Sequence, residues 1–347
     1  MRTVFWEDNQ VKMIDQRILP ARFEVVAYTD HKSVAQAITD MVVRGAPAIG
    51  ATAAFGLALA GFESASTSTG DLLADLEAAA STLKASRPTA VNLAWAIDRV
   101  MSKVSSLQSP TVDSIRQFIL DEAQRIADED VEINKRMAEH GATLINDGDT
   151  IIHHCNTGAL AAVDWGTALG VIRTAHEQGK KIHVLVDETR PRLQGARLTA
   201  WELEQYGIPY EIISDNTSGY FLKAGKAQKC FVGSDRTAAN GDVANKIGTY
   251  MLALAAHDNG VPFYPVVPTS TIDLSLSHGD QIPIEERNPE EVLGLEFKGE
   301  RVTPRNAKAR NIAFDVTPNR LVTGIVTENG IAYPPFESSL KKVVLGE

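Results

Sequence analysis

Two residues of the chain have types and positions suited to acid–base chemistry. Cys155 ends a short apolar run and is followed by Asn-Thr-Gly, so it lies where a predicted strand turns toward a helix N-terminus, which lowers the pKa of a thiol. Asp235 follows a second apolar run, and a carboxyl group in a water-poor cleft has a raised pKa and acts as a general acid. The ordinary alternatives are a buried structural cysteine and an Asx turn. Cys230, inside the second run, is predicted to be a core residue.

Two arginines lie where an anion such as phosphate could bind. Arg44 precedes a Gly-Ala-Pro segment, and proline is a suitable first residue of a helix. An arginine beside a helix N-terminus suits a phosphate, because free N–H groups and a guanidinium meet there. Arg87 precedes Pro88, which places it in an extended or turn conformation at a helix entry. The alternative for both arginines is a solvated charge at a helix end.

A lysine gives a third candidate for anion binding. We predict a helix over Val243–His257, and its buried face is marked at helical spacing by Val243, Ile247, Met251 and Leu254. Asn245 and Lys246 would lie in the first turn, where a lysine opposes the helix dipole. A bound anion would account for that charge, whereas a surface lysine on an amphipathic helix is the alternative.

Several cofactor motifs are absent from the sequence. It contains no GxGxxG after a strand, no GxxxxGK[ST] and no GxSxG, so dinucleotide binding, P-loop ATP binding and a serine nucleophile elbow are not indicated. His153 and His154 alternate faces within a predicted strand, so only one of them could face a given site. With no second ligand motif and no zinc-type cysteine spacing, we expect no metal.

The elements that position these residues alternate after Asp149. We predict strands at Thr150–His154, Lys181–Val186, Tyr210–Ile213, Cys230–Val232 and Phe263–Val267, with helices near Ala159–Gln178, Gly195–Tyr206, Tyr220–Ala227 and Val243–His257. Alternating strands and helices indicate βαβ units and a parallel sheet. The polar segments that follow the strands should therefore converge at one edge of the sheet, where ligands of open α/β sheets collect.

The first part of the chain is predicted to be mainly helical. Short strands and a helix near Ser33–Val43 precede helical patterns at Asp71–Ala85, Ala90–Leu107 and Val112 to about Ile145. Gly45–Phe62 carries no charge and just reaches the length of a membrane span. Because it consists mostly of alanine and glycine and has no second span beside it, we predict a buried helix.

Composition limits the classes of partner and compartment. The chain has 347 residues, which suggests two domains, and 44% of them are hydrophobic. A formal charge of −10 disfavours general binding to nucleic acid or an anionic membrane. With only two cysteines and no apolar core of a signal peptide near Met1, we expect a cytoplasmic protein.

Six segments together resemble the methylthioribose-1-phosphate isomerase family of methionine salvage. They are RGAPAIG (Arg44–Gly50), SRPTAVNL (Ser86–Leu93), HCNTGALA (His154–Ala161), DETRPRLQGARLTAWEL (Asp187–Leu203), GSDRTAANGDVANKIGTY (Gly233–Tyr250) and FDVTP (Phe314–Pro318). The wider family also contains regulatory subunits of the translation-initiation guanine-nucleotide exchange factor and isomerases of related sugar phosphates.

The resemblance implies roles for particular residues. Cys155 matches the family's catalytic cysteine and Asp235 its catalytic acid. The matching substrate-binding positions are Arg44, Gly45, Ala46, Arg87, Gln194, Asn245 and Lys246. The implied fold is α/β, with a smaller, mainly helical N-terminal domain carrying a few short strands (1–125) and a Rossmann-like catalytic domain (126–347). The resemblance also implies a homodimer and a reaction that needs no cofactor.

The implied substrate, 5-methylthio-α-D-ribose 1-phosphate, cannot open to a free aldehyde because its anomeric oxygen carries phosphate. Asp235 would protonate the ring oxygen, and Cys155 would remove the C2 proton or stabilise the species formed there. A direct hydride shift from C2 to C1 stays open as a second route to the ribulose. Alternatives are an isomerase of 5-deoxyribose 1-phosphate or ribose 1,5-bisphosphate, and a non-enzymatic regulatory subunit that binds a sugar phosphate.

Overall fold

The structure, a computed structural model, describes residues 1–88 and 90–346. The chain divides into two compact units. Unit one contains Met1–Ile133 and Gly158–Gly166, and unit two contains Asn134–Thr157 and the chain from Thr167 onward. The boundary expected after residue 125 falls within the helix Val112–Ala142.

Unit one combines an antiparallel sheet with a group of helices. The sheet has the order β1-β2-β3, formed by β1 (Val4–Glu7), β2 (Gln10–Ile14) and β3 (Val25–Tyr28). The helices are α1 (His31–Thr39), α2 (Ala46–Glu63), α3 (Thr69–Ser86), α4 (Val91–Ser105) and α5 (Val112–Ala142), the last of which continues into unit two. The mainly helical character predicted for this part of the chain is confirmed.

Helix α2 lies at the centre of the core of unit one. Its residues from Ala48 to Gly61 are buried, and it packs against α1, α3, α4 and the first two strands. By length and composition alone α2 could cross a membrane, but 78% of its apolar window is buried inside the protein. A helix that is apolar on all sides is expected where other elements surround it, so the buried helix predicted here is confirmed.

Unit two contains the remaining strands and helices. The strands are β4 (Thr150–His153), β5 (His183–Asp187), β6 (Tyr210–Ile213), β7 (Lys229–Val232), β8 (Arg236–Ala238), β9 (Val243–Lys246), β10 (Phe263–Pro265), β11 (Ile272–Asp273), β12 (Glu296–Phe297), β13 (Glu300–Arg301), β14 (Phe314–Thr317), β15 (Ile325–Thr327) and β16 (Gly330–Ala332). The helices are α6 (Ala168–Glu177), α7 (Ala200–Tyr206), α8 (Ser218–Lys223), α9 (Thr249–Asp258), α10 (Glu290–Leu293) and α11 (Phe336–Leu345).

The main sheet of unit two is parallel, as predicted. Its strand order is β10-β7-β4-β5-β6, and every pairing in it is parallel. The chain proceeds from β4 to β5 and β6 on one side, and from β7 to β10 on the other. The order therefore reverses between β4 and β7, and in open α/β sheets a ligand binds in the crevice at such a point. The Rossmann-like fold class is confirmed.

A second sheet lies in the same unit and corrects one helix prediction. Its order is β11-β8-β9-β14, so Val243–Lys246 is a strand and the helix over Val243–His257 is wrong in its first third. Helix α9 begins only at Thr249, after Gly248 in the left-handed region at φ 104°. Met251, expected on the buried face, is 67% exposed. The prediction failed because β9 pairs on one side with β14, a segment far away in the sequence, and local spacing does not contain that interaction.

Candidate active site

Cys155 lies in the turn after β4 and has an uncommon backbone conformation. Its φ of 69° is in the left-handed region, which residues with a side chain rarely occupy. The Cys155 amide donates to Oγ1 of Thr189 at 2.9 Å, and Oγ1 of Thr199 donates to the Cys155 carbonyl at 2.7 Å. Both threonines are fully buried. Two residues of one segment distant in sequence therefore hold the backbone of this cysteine on both sides, and such strained positions cluster at functional sites.

The segments after β4, β5 and β6 converge, as predicted from the parallel sheet. Asp215, after β6, accepts the amide of Thr189 at 2.6 Å and that of Arg190 at 2.8 Å. Asn156, after β4, donates to Glu202 of α7 at 2.8 Å. These contacts connect the carboxyl ends of three neighbouring strands into one hydrogen-bonded network.

The segment after β7 joins the same edge and carries Asp235. A Cβ added at Gly233 would lie 2.8 Å from the side chain of Thr157, so the segments after β7 and β4 are in close contact. Because β4 and β7 flank the reversal of strand order, Cys155 and Asp235 follow the two strands on either side of the crevice.

The surroundings of Asp235 differ from the water-poor cleft that we expected. Asp235 is exposed, and its amide donates to the carbonyl of Ala244 at 2.9 Å. The physical reason is its position: Asp235 immediately precedes the first residue of β8, so its backbone is paired while its side chain stays at the surface.

Gln194 begins an unusual helical turn beside the cysteine. Gly195–Thr199 forms a π-type turn, a form that is rare and frequent at functional sites. A Cβ at Gly195 would lie 1.8 Å from the carbonyl oxygen of Asp187, so only glycine permits this packing. Gln194 is 7% exposed, and its Oε1 is buried and accepts no hydrogen bond within the described part of the chain. A buried acceptor of this kind is costly unless a ligand satisfies it.

Asn245 and Lys246 lie on β9, not in the first turn of a helix. They are 4% and 6% exposed, which excludes the surface lysine that was the alternative. Nζ of Lys246 donates to the carbonyl of Ala313 at 2.7 Å and lies 4.4 Å from the ring centre of Phe314. The argument from the helix dipole is therefore wrong, but the cation is buried, which is rare for lysine.

His154 forms a buried ion pair next to Cys155. Its Nδ1 lies 2.8 Å from Oδ2 of Asp187 and its Nε2 lies 2.9 Å from the carbonyl oxygen of Ile247. A carbonyl only accepts, so Nε2 carries a proton. Burial opposes charge on the ring, but the hydrogen bond to Asp187 and its negative charge raise the pKa of His154. Burial raises the pKa of Asp187 as well, so the pair holds its shared proton firmly.

His153 is buried in its neutral form. Its Nδ1 donates to the carbonyl of Phe231 at 2.9 Å. The hydroxyl of Thr157 accepts the amide of Leu169 at 3.0 Å and faces Nε2 of His153 at 3.3 Å. Burial lowers the pKa of His153 to about 4. This histidine therefore has a structural role at the carboxyl end of β4.

The remaining predicted binding residues belong to unit one. Arg44, Gly45 and Ala46 are half-buried at the start of α2, as the Gly-Ala-Pro segment predicted. Gly45 has a φ of 95°, and a Cβ there would lie 2.2 Å from the carbonyl oxygen of Ala161, so glycine is required by a backbone approach within the protein. Arg87 is half-buried and extended (φ −150°, ψ 83°) at the end of α3, as expected before a proline.

One group of side chains has the composition of a metal site. The ligand atoms of His154, Asp187 and Asp215 lie within 4.8 Å of one another. Hydrogen bonds engage all of them: the two ring nitrogens donate as described, Asp187 also accepts from the hydroxyl of Ser218, and Asp215 accepts two amides. With both ring nitrogens donating, His154 has no lone pair for an ion. We therefore interpret the group as a hydrogen-bonded network.

Sequence reasoning missed the residues that support the site. Thr189, Thr199 and Asp187 lie in a segment quoted for the resemblance, yet no role was assigned to them. Asp315 of β14 accepts the amides of Gly248 at 2.8 Å and Tyr250 at 3.0 Å, and burial raises its pKa. The available signal was a buried-type strand containing one acidic residue, FDVTP, but its partner amides lie more than sixty positions away.

Comparison with known families gives a match along most of the chain. The model described as the initiation factor 2 subunit family matches residues 42–334. The methylthioribose-1-phosphate isomerase of Synechococcus sp. is 52% identical over 346 residues, covering 99% of this chain and 98% of that protein. The protein of the same name from Desulforamulus reducens is 49% identical, covering 99% of each.

Solved structures also match along nearly the whole chain. The 5-methylthioribose 1-phosphate isomerase of Pyrococcus horikoshii superposes with a TM-score of 0.94 at 46% identity, covering 100% of this chain and 96% of that one. A structure named as the delta subunit of translation initiation factor eIF-2B from A. fulgidus has a TM-score of 0.90 at 42% identity, covering 99% of each chain.

Proposed function

The chain belongs to the methylthioribose-1-phosphate isomerases within the initiation factor 2 subunit family, and from this membership we propose its reaction. It converts 5-methylthio-α-D-ribose 1-phosphate to 5-methylthio-D-ribulose 1-phosphate in methionine salvage. The observation that carries the proposal is similarity to named isomerases along the whole chain. The geometry of unit two supports it, because Cys155 and Asp235 follow the strands that flank the reversal of strand order.

Seven residues bind the substrate in this proposal. Lys246, Arg44 and Arg87 hold the phosphate as cations, and the start of α2, with Gly45 and Ala46, contributes backbone N–H groups. Asn245 and Gln194 bind sugar hydroxyls. What supports Gln194 is that its buried Oε1 accepts no hydrogen bond within the described part of the chain, and a substrate hydroxyl can supply one.

Ring opening is the first chemical step. The bond between C1 and the ring oxygen breaks, and Asp235 donates its proton to that oxygen, which is otherwise a poor leaving group. A general acid must be protonated before the step. Asp235 is exposed in the chain, so we infer that the bound sugar itself covers the carboxyl group, removes water from it and favours the protonated form.

Two routes lead from the opened sugar to the ketose. In one, Cys155 takes the C2 proton to give an enol phosphate; the enol hydroxyl then returns a proton to Asp235, and the thiol protonates C1. In the other, hydrogen moves with its electron pair from C2 to C1 while the C2 hydroxyl returns its proton to Asp235, and Cys155 stabilises the cation. Turnover in D₂O distinguishes them: in the first route the Cys155 thiol can exchange the proton it took from C2 for solvent deuterium and deliver deuterium to C1, whereas the hydride shift leaves C1 unlabelled.

The activity is tested with the purified full chain and no added cofactor. Methylthioribose 1-phosphate at millimolar concentration is followed by NMR for the ketose signal, with Asp235→Asn as the matched control. We expect turnover by the chain and at least 100-fold less by the variant. Absence of turnover by a folded chain that still binds the sugar phosphate would instead indicate the regulatory-subunit function, which the name of the A. fulgidus relative makes the second candidate.

The C5 substituent distinguishes the alternative isomerases. The same assay is run with 5-deoxyribose 1-phosphate and ribose 1,5-bisphosphate at equal concentrations. We expect the methylthio sugar to have the highest kcat/KM, because an apolar C5 group gains from burial whereas a second phosphate needs further cations. A higher kcat/KM for either competitor would reassign the substrate.

We also propose that the chain acts in the cytoplasm as a homodimer. Its two cysteines are buried as thiols, in keeping with a reducing compartment. Sedimentation velocity at micromolar concentration should give twice the mass of one chain, and a fluorescent fusion should distribute through the cytoplasm. A monomer or a membrane-associated fusion would contradict the respective part.

A further inference from the structure

We propose that Thr199 and Thr189 are positioning residues for Cys155, which clamp its backbone on both sides and thereby fix the direction of its thiol. The inference rests on the proposed function, in which Cys155 acts at C2 of the sugar. Neither threonine needs to touch the substrate for this role. Their hydroxyls act through the backbone of the cysteine.

The need for a clamp follows from the conformation of Cys155. A residue with a Cβ in the left-handed region is strained, and it persists there only where its surroundings hold it. Two hydrogen bonds hold Cys155 in this conformation. Its amide donates to the hydroxyl of Thr189, and its carbonyl accepts from the hydroxyl of Thr199. If either bond is lost, the peptide planes beside Cys155 can rotate, and the Cα–Cβ bond rotates with them.

Thr199 is itself held in place by several contacts. It ends the π-type turn Gly195–Thr199, whose first residue packs on the carbonyl of Asp187. Its hydroxyl donates to Cys155 and accepts from Nδ2 of Asn156 at 3.2 Å. Asn156 is fixed in turn by Glu202. The π-type turn therefore begins next to Gln194 and ends at Thr199, which hydrogen-bonds to Cys155. One turn thus positions both Gln194 and Cys155.

Thr189 has a fixed proton arrangement. Its hydroxyl donates to the carbonyl of Asp187 at 2.9 Å, so its lone pair is oriented toward the amide of Cys155. Thr189 is also in the left-handed region, at φ 64°, and Asp215 accepts its amide. The hydroxyl thus accepts from Cys155 in a single geometry.

The test compares variants that remove or keep the Thr199 hydroxyl. Thr199→Val and Thr199→Ala remove it, and Thr199→Ser keeps it. Thr327→Val is the matched control, because Thr327 is also fully buried and donates to a backbone carbonyl, that of Gly330, at 2.9 Å, but lies on β15. Circular dichroism establishes folding, and kcat and KM are measured for methylthioribose 1-phosphate.

A second readout does not depend on turnover. The rate of alkylation of Cys155 by iodoacetamide is measured against pH, with the modified peptide identified by mass spectrometry. A change in the direction or surroundings of the thiol alters this profile. Because Cys155 is buried, a general loss of stability also raises its alkylation rate, and Thr327→Val shows the size of that effect. If the proposed function fails, the full chain shows no turnover, yet the alkylation profiles still test the clamp.

We expect kcat to fall at least tenfold in Thr199→Val and Thr199→Ala with KM within threefold, because small displacements of a reacting group cost large factors in rate. Their alkylation profiles should differ from that of the unchanged chain. Thr199→Ser should keep at least half of kcat, and Thr327→Val should keep all of it. Unchanged kcat and alkylation in either folded hydroxyl-lacking variant, or an equal loss in Thr327→Val, would overturn the proposal.

Discussion

Nδ1 of His154 lies 2.8 Å from Oδ2 of Asp187, and both side chains are 1% exposed. The other ring nitrogen donates to the carbonyl of Ile247. This ion pair joins the carboxyl ends of β4 and β5 to the corner after β9. Cys155 and Lys246 are each the immediate sequence neighbour of a residue in this contact, so the pair determines the backbone positions from which both side chains project.

The His154–Asp187 pair should make stability depend on pH above neutrality. A histidine with a raised folded-state pKa contributes stability that is complete below its unfolded pKa of about 6.5 and is lost as pH rises through the folded value. Burial also raises the pKa of Asp187, which gives the same sign of pH dependence in a window that begins at its unfolded pKa of about 3.9. Urea unfolding of the full chain from pH 6 to 9 should show a decline that His154→Gln reduces. If the unfolding free energy of His154→Gln falls with pH as steeply as that of the unchanged chain, this prediction is contradicted.

His153 should act in the acid range instead. Its pKa is lowered to about 4 in the folded protein, so stability falls as pH drops below about 6.5, by about 3 kcal/mol at pH 4. His153→Gln should lose this dependence while remaining less stable at pH 7, since a buried hydrogen bond is altered. Unfolding free energies at pH 4.5 and 7 measure the difference, and an unchanged acid slope in the variant would refute it.

Asp235→Asn should separate binding from turnover. The amide keeps the shape of the side chain but cannot donate an acidic proton, so we expect kcat to fall by about 10²- to 10⁴-fold with KM nearly unchanged. Asp258→Asn, an exposed aspartate at the end of α9, is the control for the substitution itself. Steady-state kinetics give both constants. A fully active Asp235→Asn would show that the acid is another group.

Lys246→Met should weaken phosphate binding. Loss of a charge-assisted hydrogen bond is worth about 1.5–3 kcal/mol, so KM should rise about 10- to 100-fold. Lys229→Met removes another largely buried lysine, one that pairs with Asp149 at 2.5 Å, and should leave KM unchanged. Inhibition by inorganic phosphate checks the assignment: it should be lost in Lys246→Met and kept in Lys229→Met. Equal affinities in the two variants would remove Lys246 from the phosphate site.

Gly45→Ala should destabilise the fold much more than Gly148→Ala, the same substitution at another glycine with a left-handed φ. At Gly45 the left-handed φ is combined with a Cβ position 2.2 Å from the carbonyl oxygen of Ala161, whereas Gly148 has a φ of 86° and open space around its Cβ position. Gly148→Ala should therefore cost only the conformational strain, about 1–2 kcal/mol. Urea unfolding compares the two, and equal losses would mean that the turn at Ala161 moves freely.

The parallel sheet and the buried helix α2 could be predicted because their signals are local. Short apolar runs that alternate with helical segments indicate βαβ units, and the five strands predicted in this way pair in parallel. An uncharged, alanine-rich stretch after Gly-Ala-Pro indicates a core helix, which α2 is. The helical turn predicted around Lys246 is wrong. Val243 and Ile247 are four residues apart, which fits a helix, but the observed strand depends on distant partners such as Asp315, which lies opposite Asn245.

The sequence by itself determined which residues follow each strand, and so placed Cys155 and Asp235 at one edge of a parallel sheet. Only the tertiary structure decided that β4 lies beside β7 and that Thr189 and Thr199 hydrogen-bond to the backbone of Cys155 on both sides. It also decided that both ring nitrogens of His154 are hydrogen-bonded in a buried ion pair. Strand order, clamping hydrogen bonds and buried charge are all settled between segments far apart in the chain. Their free energies depend on which groups exclude water together, which no local pattern of residues specifies.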